Sequence, residues 1–172
     1  MKVTLWISTS VNGMIARSNN TEEFISWESA KLWLEYCKKA GSLVLGRKSY
    51  EIFVTWPKAF LTIVSDVPKV VLSSNKNYQV LDDFSVATSP QEVIAILKNK
   101  GVTEVVITGG SKSNSSFAKE NLIDEVILNI EPVLIGEGLP IFKPETFDLK
   151  LKFVEITETK AKTIELHYKV QK

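Results

Sequence analysis

The sequence predicts an α/β fold, a mostly parallel central sheet flanked by helices with an antiparallel C-terminal hairpin. Short β-branched runs alternate with stretches of helical period through most of the chain, the pattern of parallel strands joined by helical crossovers. Near the end the period becomes strictly two around a polar turn, "LKFVEITETKAKTIELHYKV", which reads as a hairpin. A chain of 172 residues with 44% hydrophobic and 24% charged residues has the size and composition of one globular domain with a proper core, spanning 1–172.

The elements follow in order. "KVTLWIS" (2–8) alternates as a first strand. In 26–41, Ala30, Trp33, Leu34 and Cys37 recur at helical spacing, with Ser26 as N-cap and Gly41 as the stop. "SLVLG" (42–46) is a buried strand, "RKSYEIF" (47–53) a short helix and "KVVLSSN" (69–75) another strand. "SPQEVIAILKNKG" (89–101) is a helix in which Ser89 precedes a first-turn Pro90. "EVVIT" (104–108) is a strand, "KSNSSFAKENL" (112–122) a weak helix, and "DEVILNIEPVLI" (124–135) a long strand.

Composition excludes several functions. A net charge of +1 without a long basic run gives no footprint for nucleic acid or an acidic membrane surface. No apolar run reaches the length of a membrane helix, and the N-terminal residues alternate as a strand, so a cytoplasmic protein is expected. One cysteine and one histidine cannot supply the usual metal ligand sets, so no metal is expected. His167 shares its strand face with Glu165 and Lys169, which predicts a solvent-facing imidazole.

Chemistry concentrates at three strand ends. Gly46, Arg47, Lys48 and Ser49 combine flexible backbone, two cations and a hydroxyl at a strand-to-helix junction. Ser73, Ser74 and Asn75 end a second strand with compact donors, and Thr108, Gly109, Gly110, Ser111, Lys112, Ser113 and Asn114 follow a third. In a parallel sheet all three lie at one carboxyl edge, where open α/β sheets bind ligands, and a helix beginning after Gly110 would offer free N–H groups to an anion. "GGSKS" lacks P-loop spacing, and "GEGLPI" (136–141) lacks the third glycine of a dinucleotide fingerprint. Trp33 shares its helix face with Leu34 and Cys37 and reads as core, whereas Trp27 at the helix entrance can face a flat ligand.

"SVNGMIA", "LVLGRKSYE", "VVLSSN" and "ITGGSKSNSSF…DEVILNIEPVLIGEGLPIF" stand in the order and spacing of the dihydrofolate-reductase-like fold family. Over nearly the whole chain the resemblance is greater to the branch containing the reductase domain of riboflavin biosynthesis. It implies an NADPH-dependent reductase acting on a small heterocyclic or imine-like substrate, such as 5-amino-6-(5-phosphoribosylamino)uracil. By the same resemblance Gly46–Ser49 would hold the cofactor phosphates, and Ser73 and Ser74 would lie near the adenosine 2′-phosphate. Thr108, Gly109 and Gly110 would form a turn, often cis in this family, against the nicotinamide ribose and pyrophosphate, with Ser111–Asn114 as the helix start beneath and Ala16 beside the cofactor.

The chain departs from the pattern where acids are expected. Asn12, beside Gly13, replaces the aspartate of the first loop, and an amide cannot deliver a proton. The acid that engages the pteridine in folate reductases falls near Ala30, and Glu28, two residues away, points elsewhere on a helix. The proton donor is therefore unassigned; Asn12 and Gly13 mark the active-site loop, and Trp27 and Glu28 are candidates for the cleft. Dihydrofolate reduction and a non-catalytic NADPH-binding module stand as alternatives. The hairpin, with Phe153, Ile156, Ile164 and Leu166 among five lysines, and the habit of relatives both point to a homodimer.

Overall fold

β1 (Lys2–Ser10) is covered on both sides, because Val3, Leu5 and Ile7 enter one core cluster and Trp6 the other. In the computed structural model, which describes residues 1–172, this strand lies inside an eight-stranded sheet. It runs two residues beyond the apolar alternation. Its last residues, Thr9 and Ser10, are polar but buried, and their hydroxyls are satisfied by the backbone of Met14.

The remaining elements are β2 (Met14–Arg17), α1 (Trp27–Ala40), β3 (Leu43–Gly46), α2 (Arg47–Phe53), α3 (Lys58–Leu61) with a 3₁₀ turn at Thr62–Val64, and β4 (Lys69–Leu72). They continue through β5 (Phe84–Ala87), α4 (Pro90–Asn99), β6 (Glu104–Ile107), α5 (Ser111–Lys119) and β7 (Glu125–Glu131) to β8 (Gly138–Pro140), β9 (Lys150–Glu158) and β10 (Ile164–Gln171). The sheet order is β5-β4-β3-β6-β1-β7-β10-β9. Every pairing from β5 to β7 is parallel, and β10 and β9 add antiparallel at the edge.

Caps stand where the sequence puts them. Ser26 accepts from Ser29 N at the start of α1, Gly41 ends that helix at φ 79°, and Ser89 caps α4 ahead of Pro90. α1 and α2 bury Trp33, Leu34, Cys37, Tyr50 and Phe53 against one face of the sheet, while α4 and α5 bury Val93, Leu97, Phe117 and Ala118 against the other. No helix is long and apolar enough to cross a membrane.

Several short elements escape the sequence. β5 is a four-residue edge strand in a polar stretch, and β2 with β8 form a separate two-stranded sheet. β7 stops at Glu131, short of the expected 135, because the following "PVLI" turns away to meet Asn12. "GEGLPI" thus serves partly as a strand, and Gly138 is needed there: a Cβ would stand 2.4 Å from Ala16 O.

The expectation for His167 requires correction. Its side chain is only 17% exposed and lies 3.2 Å from Glu125 and 3.6 Å from Glu155, since β7 and β9 flank β10 on both sides. At the hairpin, a register shift opposite His167/Tyr168 places Phe153 across from Tyr168 but Ile156 across from Leu166. One face of β9 therefore carries Leu151, Phe153 and Ile156 despite their mixed parity, and all three are exposed.

Candidate functional site

A cleft of about 990 Å³ opens along the carboxyl ends of the parallel strands. Gly46 of β3, Leu72 and Ser73 around the end of β4, Thr88 after β5, Thr108 after β6 and Ser8 of β1 all contribute to its wall. The three strand ends singled out by the sequence thus converge on one cavity.

One half of the cleft is polar and cationic. Gly46, Arg47, Lys48, Ser49, Ser73, Ser74, Thr108, Gly110, Ser111, Lys112, Ser113 and Ala16 line it. Lys143, which stands in no motif of the sequence, joins them from the segment after β8. Arg47 is tied to Glu51 at 3.2 Å, whereas Lys48, Lys112 and Lys143 form no ion pair and leave their charge to the cleft. Ser113 Oγ is buried with no hydrogen-bond partner, and Ser113 lines this half.

Close backbone packing holds this half open. The Gly109–Gly110 peptide is cis, and Gly46 N donates to Gly109 O at 2.6 Å. A Cβ on Gly46 would stand 3.1 Å from both Gly109 O and Gly110 N, so β3 and the β6–α5 turn meet through bare backbone. Gly110 has an ordinary extended φ of −71°, and the nearest atom to a Cβ there is Ser49 Oγ at 3.6 Å. Glycine at 110 is not demanded by backbone angle; its missing side chain leaves space in the cleft. Gly109, at φ +117°, does require glycine.

The donors of α5 divide their work. Ser111 Oγ donates to Pro140 O, Asn114 Nδ2 to Ile141 O at 2.8 Å, and Ser115 Oγ to Lys143 O at 2.9 Å. These bonds strap the segment 140–143 to the helix and thereby position Lys143. Asn114 and Gly109 shape the site from behind its wall, whereas Lys112 and Ser113 face it.

The other half is aromatic. Trp27, Trp33, Phe53 and Trp56 line it and pack edge-to-face or tilted, with Trp27–Trp56 centroids 5.5 Å apart and Trp33–Trp56 5.7 Å apart. Trp27 is half exposed, as its place at the head of α1 predicts. Trp33 is core, yet its edge also reaches the cleft, with its indole N–H buried and unpartnered. Ala30 lines the wall and offers no acid.

Two carboxylates line the cleft, Glu22 and Glu23 in the loop between β2 and α1. Arg17 hydrogen-bonds Glu23 and pulls its carboxyl down to about 2. Glu22 makes no side-chain hydrogen bond or ion pair, and burial pushes its carboxyl up to about 7. The sequence drew no attention to Glu22 because it lies in a polar loop without periodicity; only a tertiary contact makes it part of the wall.

The four candidates for the reacting end separate. Trp27 lines the cleft, but Glu28 is exposed and outside it. Asn12 also lies outside: its amide donates to Ile135 O at 2.7 Å and accepts from Ile135 N at 3.1 Å. It pins the β1–β2 loop to the segment after β7, and Gly13 supplies the positive φ of that turn.

Comparison with known proteins agrees with this architecture. The chain is 26% identical to the Bacillus subtilis (strain 168) protein YwjB, which is uncharacterized, over 97% of both chains. Its fold superposes with TM-score 0.79 on a putative riboflavin biosynthesis protein from Shewanella sp. PV-4, at 22% identity over the whole of both chains. It also superposes with TM-score 0.72 on 56% of a Thermotoga maritima diaminohydroxyphosphoribosylaminopyrimidine deaminase/5-amino-6-(5-phosphoribosylamino)uracil reductase, covering 99% of this chain at 16% identity. Residues 1–164 match the RibD C-terminal domain, with the dihydrofolate-reductase-like fold expected from the sequence, and the chain belongs to that riboflavin-pathway reductase family.

Proposed function

We propose that this protein is an NADPH-dependent reductase of a small flat heterocycle, of the kind exemplified by 5-amino-6-(5-phosphoribosylamino)uracil. The observation that carries the reading is the two-part cleft: a cationic, glycine-lined half continuous with an aromatic half. Lys48, Lys112 and Lys143 suit phosphates, as do the free N–H groups at the start of α5. The space left at Gly110 and the orphaned Ser113 hydroxyl suit a ligand that approaches the backbone and donates or accepts there. The tryptophan wall suits a planar ring held against the nicotinamide, which supplies hydride when bound.

Folate reduction is the weaker reading because Ala30 stands where the resemblance expects the pteridine-binding acid. A non-catalytic nucleotide-binding module loses its main argument once Glu22 is counted, since the cleft then contains an acid. Millimolar NADPH should raise Tm by several degrees, because a ligand that binds only the folded state stabilises it by mass action. NADPH should then be oxidised in the presence of the phosphoribosylaminouracil. No thermal shift with NADPH or NADH would overturn nucleotide binding and the reductase reading with it.

A further inference from the structure

We infer that Glu22 is the proton donor of the cleft, delivering a proton to the heteroatom of the C=N or C=O bond that is reduced. This rests on the reductase reading above. Hydride adds with its electron pair to the carbon of that bond, the π pair moves onto the heteroatom, and the Glu22 O–H proton goes to that atom. A bound nicotinamide would supply the two electrons as hydride, the substrate takes them up, and the carboxylate left behind recovers a proton from water.

Geometry selects Glu22 by elimination among groups that line the cleft. The titratable and charged side chains there are Glu22, Glu23, Arg47, Lys48, Lys112 and Lys143. Glu23 is held as an anion by Arg17 and has no proton to give. Arg47 is engaged with Glu51. The three lysines belong to the phosphate half, set by α2, by α5 and by the strap after β8. Ser8 and Ala30 bring no acid, and Asn12 and Glu28 lie outside the wall.

Glu22 remains, on a loop whose turn is fixed by Ile25 N donating to Glu22 O at 2.9 Å, just ahead of Trp27. It shares the cleft wall with Ile25, Trp27 and Trp33, and nothing in the protein pairs with its carboxyl. An unpaired carboxyl in such a half-buried place, raised to about 7, is still partly protonated near neutrality, and the neutral acid can both hydrogen-bond a ring acceptor and give up its proton.

The test compares wild type with Glu22→Gln by three measurements. NADPH thermal shifts come first and should be equal, because glutamine keeps the size of Glu22 and the substitution changes none of the lysines or serines that suit the phosphates; absence of a shift in both proteins overturns the reductase reading and this inference together. Carbon-13 NMR of glutamate-labelled protein loaded with NADP⁺ comes second. A carboxyl midpoint near neutrality, lost in the variant, is expected, and a Glu22 midpoint in the ordinary carboxylate range overturns the inference alone.

The third measurement is the pH profile of NADPH-dependent reduction of 5-amino-6-(5-phosphoribosylamino)uracil and of dihydrofolate. Wild-type kcat should fall about tenfold per pH unit above the Glu22 midpoint, and Glu22→Gln should lose at least a hundredfold in kcat with little change in KM. A variant that keeps wild-type kcat, or keeps the alkaline limb, overturns the inference while leaving the reductase reading standing. A wild type that binds NADPH but reduces neither compound overturns both.

Discussion

At the scale of single residues, Glu22 and Gly46 have effects that can be measured without any substrate. Glu22 is raised by burial from near 4.5 to about 7, so between those values the folded protein keeps a proton that the unfolded chain has released. Stability therefore falls as pH rises through this window and levels off above it, by on the order of 1–2 kcal/mol once partial exposure is allowed for. Urea denaturation should show wild type losing stability relative to Glu22→Gln between pH 4.5 and 7.5. Gly46→Ala drives a methyl group against two backbone atoms at 3.1 Å, which cannot yield as a flexible side chain would. A loss of about 1–3 kcal/mol is expected, visible as a lower Tm. Gly110→Ala is the contrasting case: its Cβ meets only Ser49 Oγ at ordinary contact distance, so it should fold with nearly wild-type Tm yet lose the NADPH-induced shift.

At the scale of elements, the serine- and asparagine-rich start of α5 does two jobs. The sequence marked Ser111–Asn114 as anion-binding, but Ser111 and Asn114, with Ser115 beside them, give their side-chain donors to the carbonyls of Pro140, Ile141 and Lys143. That use was not legible, because the acceptors lie 27 to 29 positions away. Asn114→Ala removes the partly buried bond to Ile141 and should cost about 1–3 kcal/mol in chemical denaturation. It should also speed limited proteolysis between residues 136 and 146, since the strap loses a fixed point. Unchanged cleavage there would mean that the segment is held by its pairing with β2 instead.

At the scale of the whole molecule, we propose that the hairpin mediates a homodimer. Leu151, Phe153, Val154, Ile156 and Ile164 are 39–60% exposed, and β9 is an edge strand with unpaired backbone groups. The register shift in β9 gathers Leu151, Phe153 and Ile156 onto one face, with Tyr168 and Leu166 opposite. Light scattering should give about twice the chain mass of 19.3 kDa, and Phe153→Lys combined with Ile156→Lys should return the single-chain mass. A wild-type mass of 19.3 kDa overturns the dimer. The hairpin lies at the far edge of the sheet from β3, β4 and β5, so this contact leaves the cationic half of the cleft open.

Local chemistry was enough to determine the parallel core, the caps at Ser26, Gly41 and Ser89, the terminal hairpin and the three strand ends that bind one cavity. Each is written in contiguous residues: β-branched runs, cap side chains, and the change of period near residue 150. Tertiary structure alone decided what depends on distant partners. β2 and β8 are too short to carry a pattern and exist because each pairs with the other. His167 leaves solvent because Glu125 and Glu155 close on it from neighbouring strands. Asn12, marked by its place in a loop motif, turned out to be occupied by Ile135. Glu22, in a loop without periodicity, gains its chemistry only because the fold half-buries its carboxyl in the cleft wall without giving it a partner.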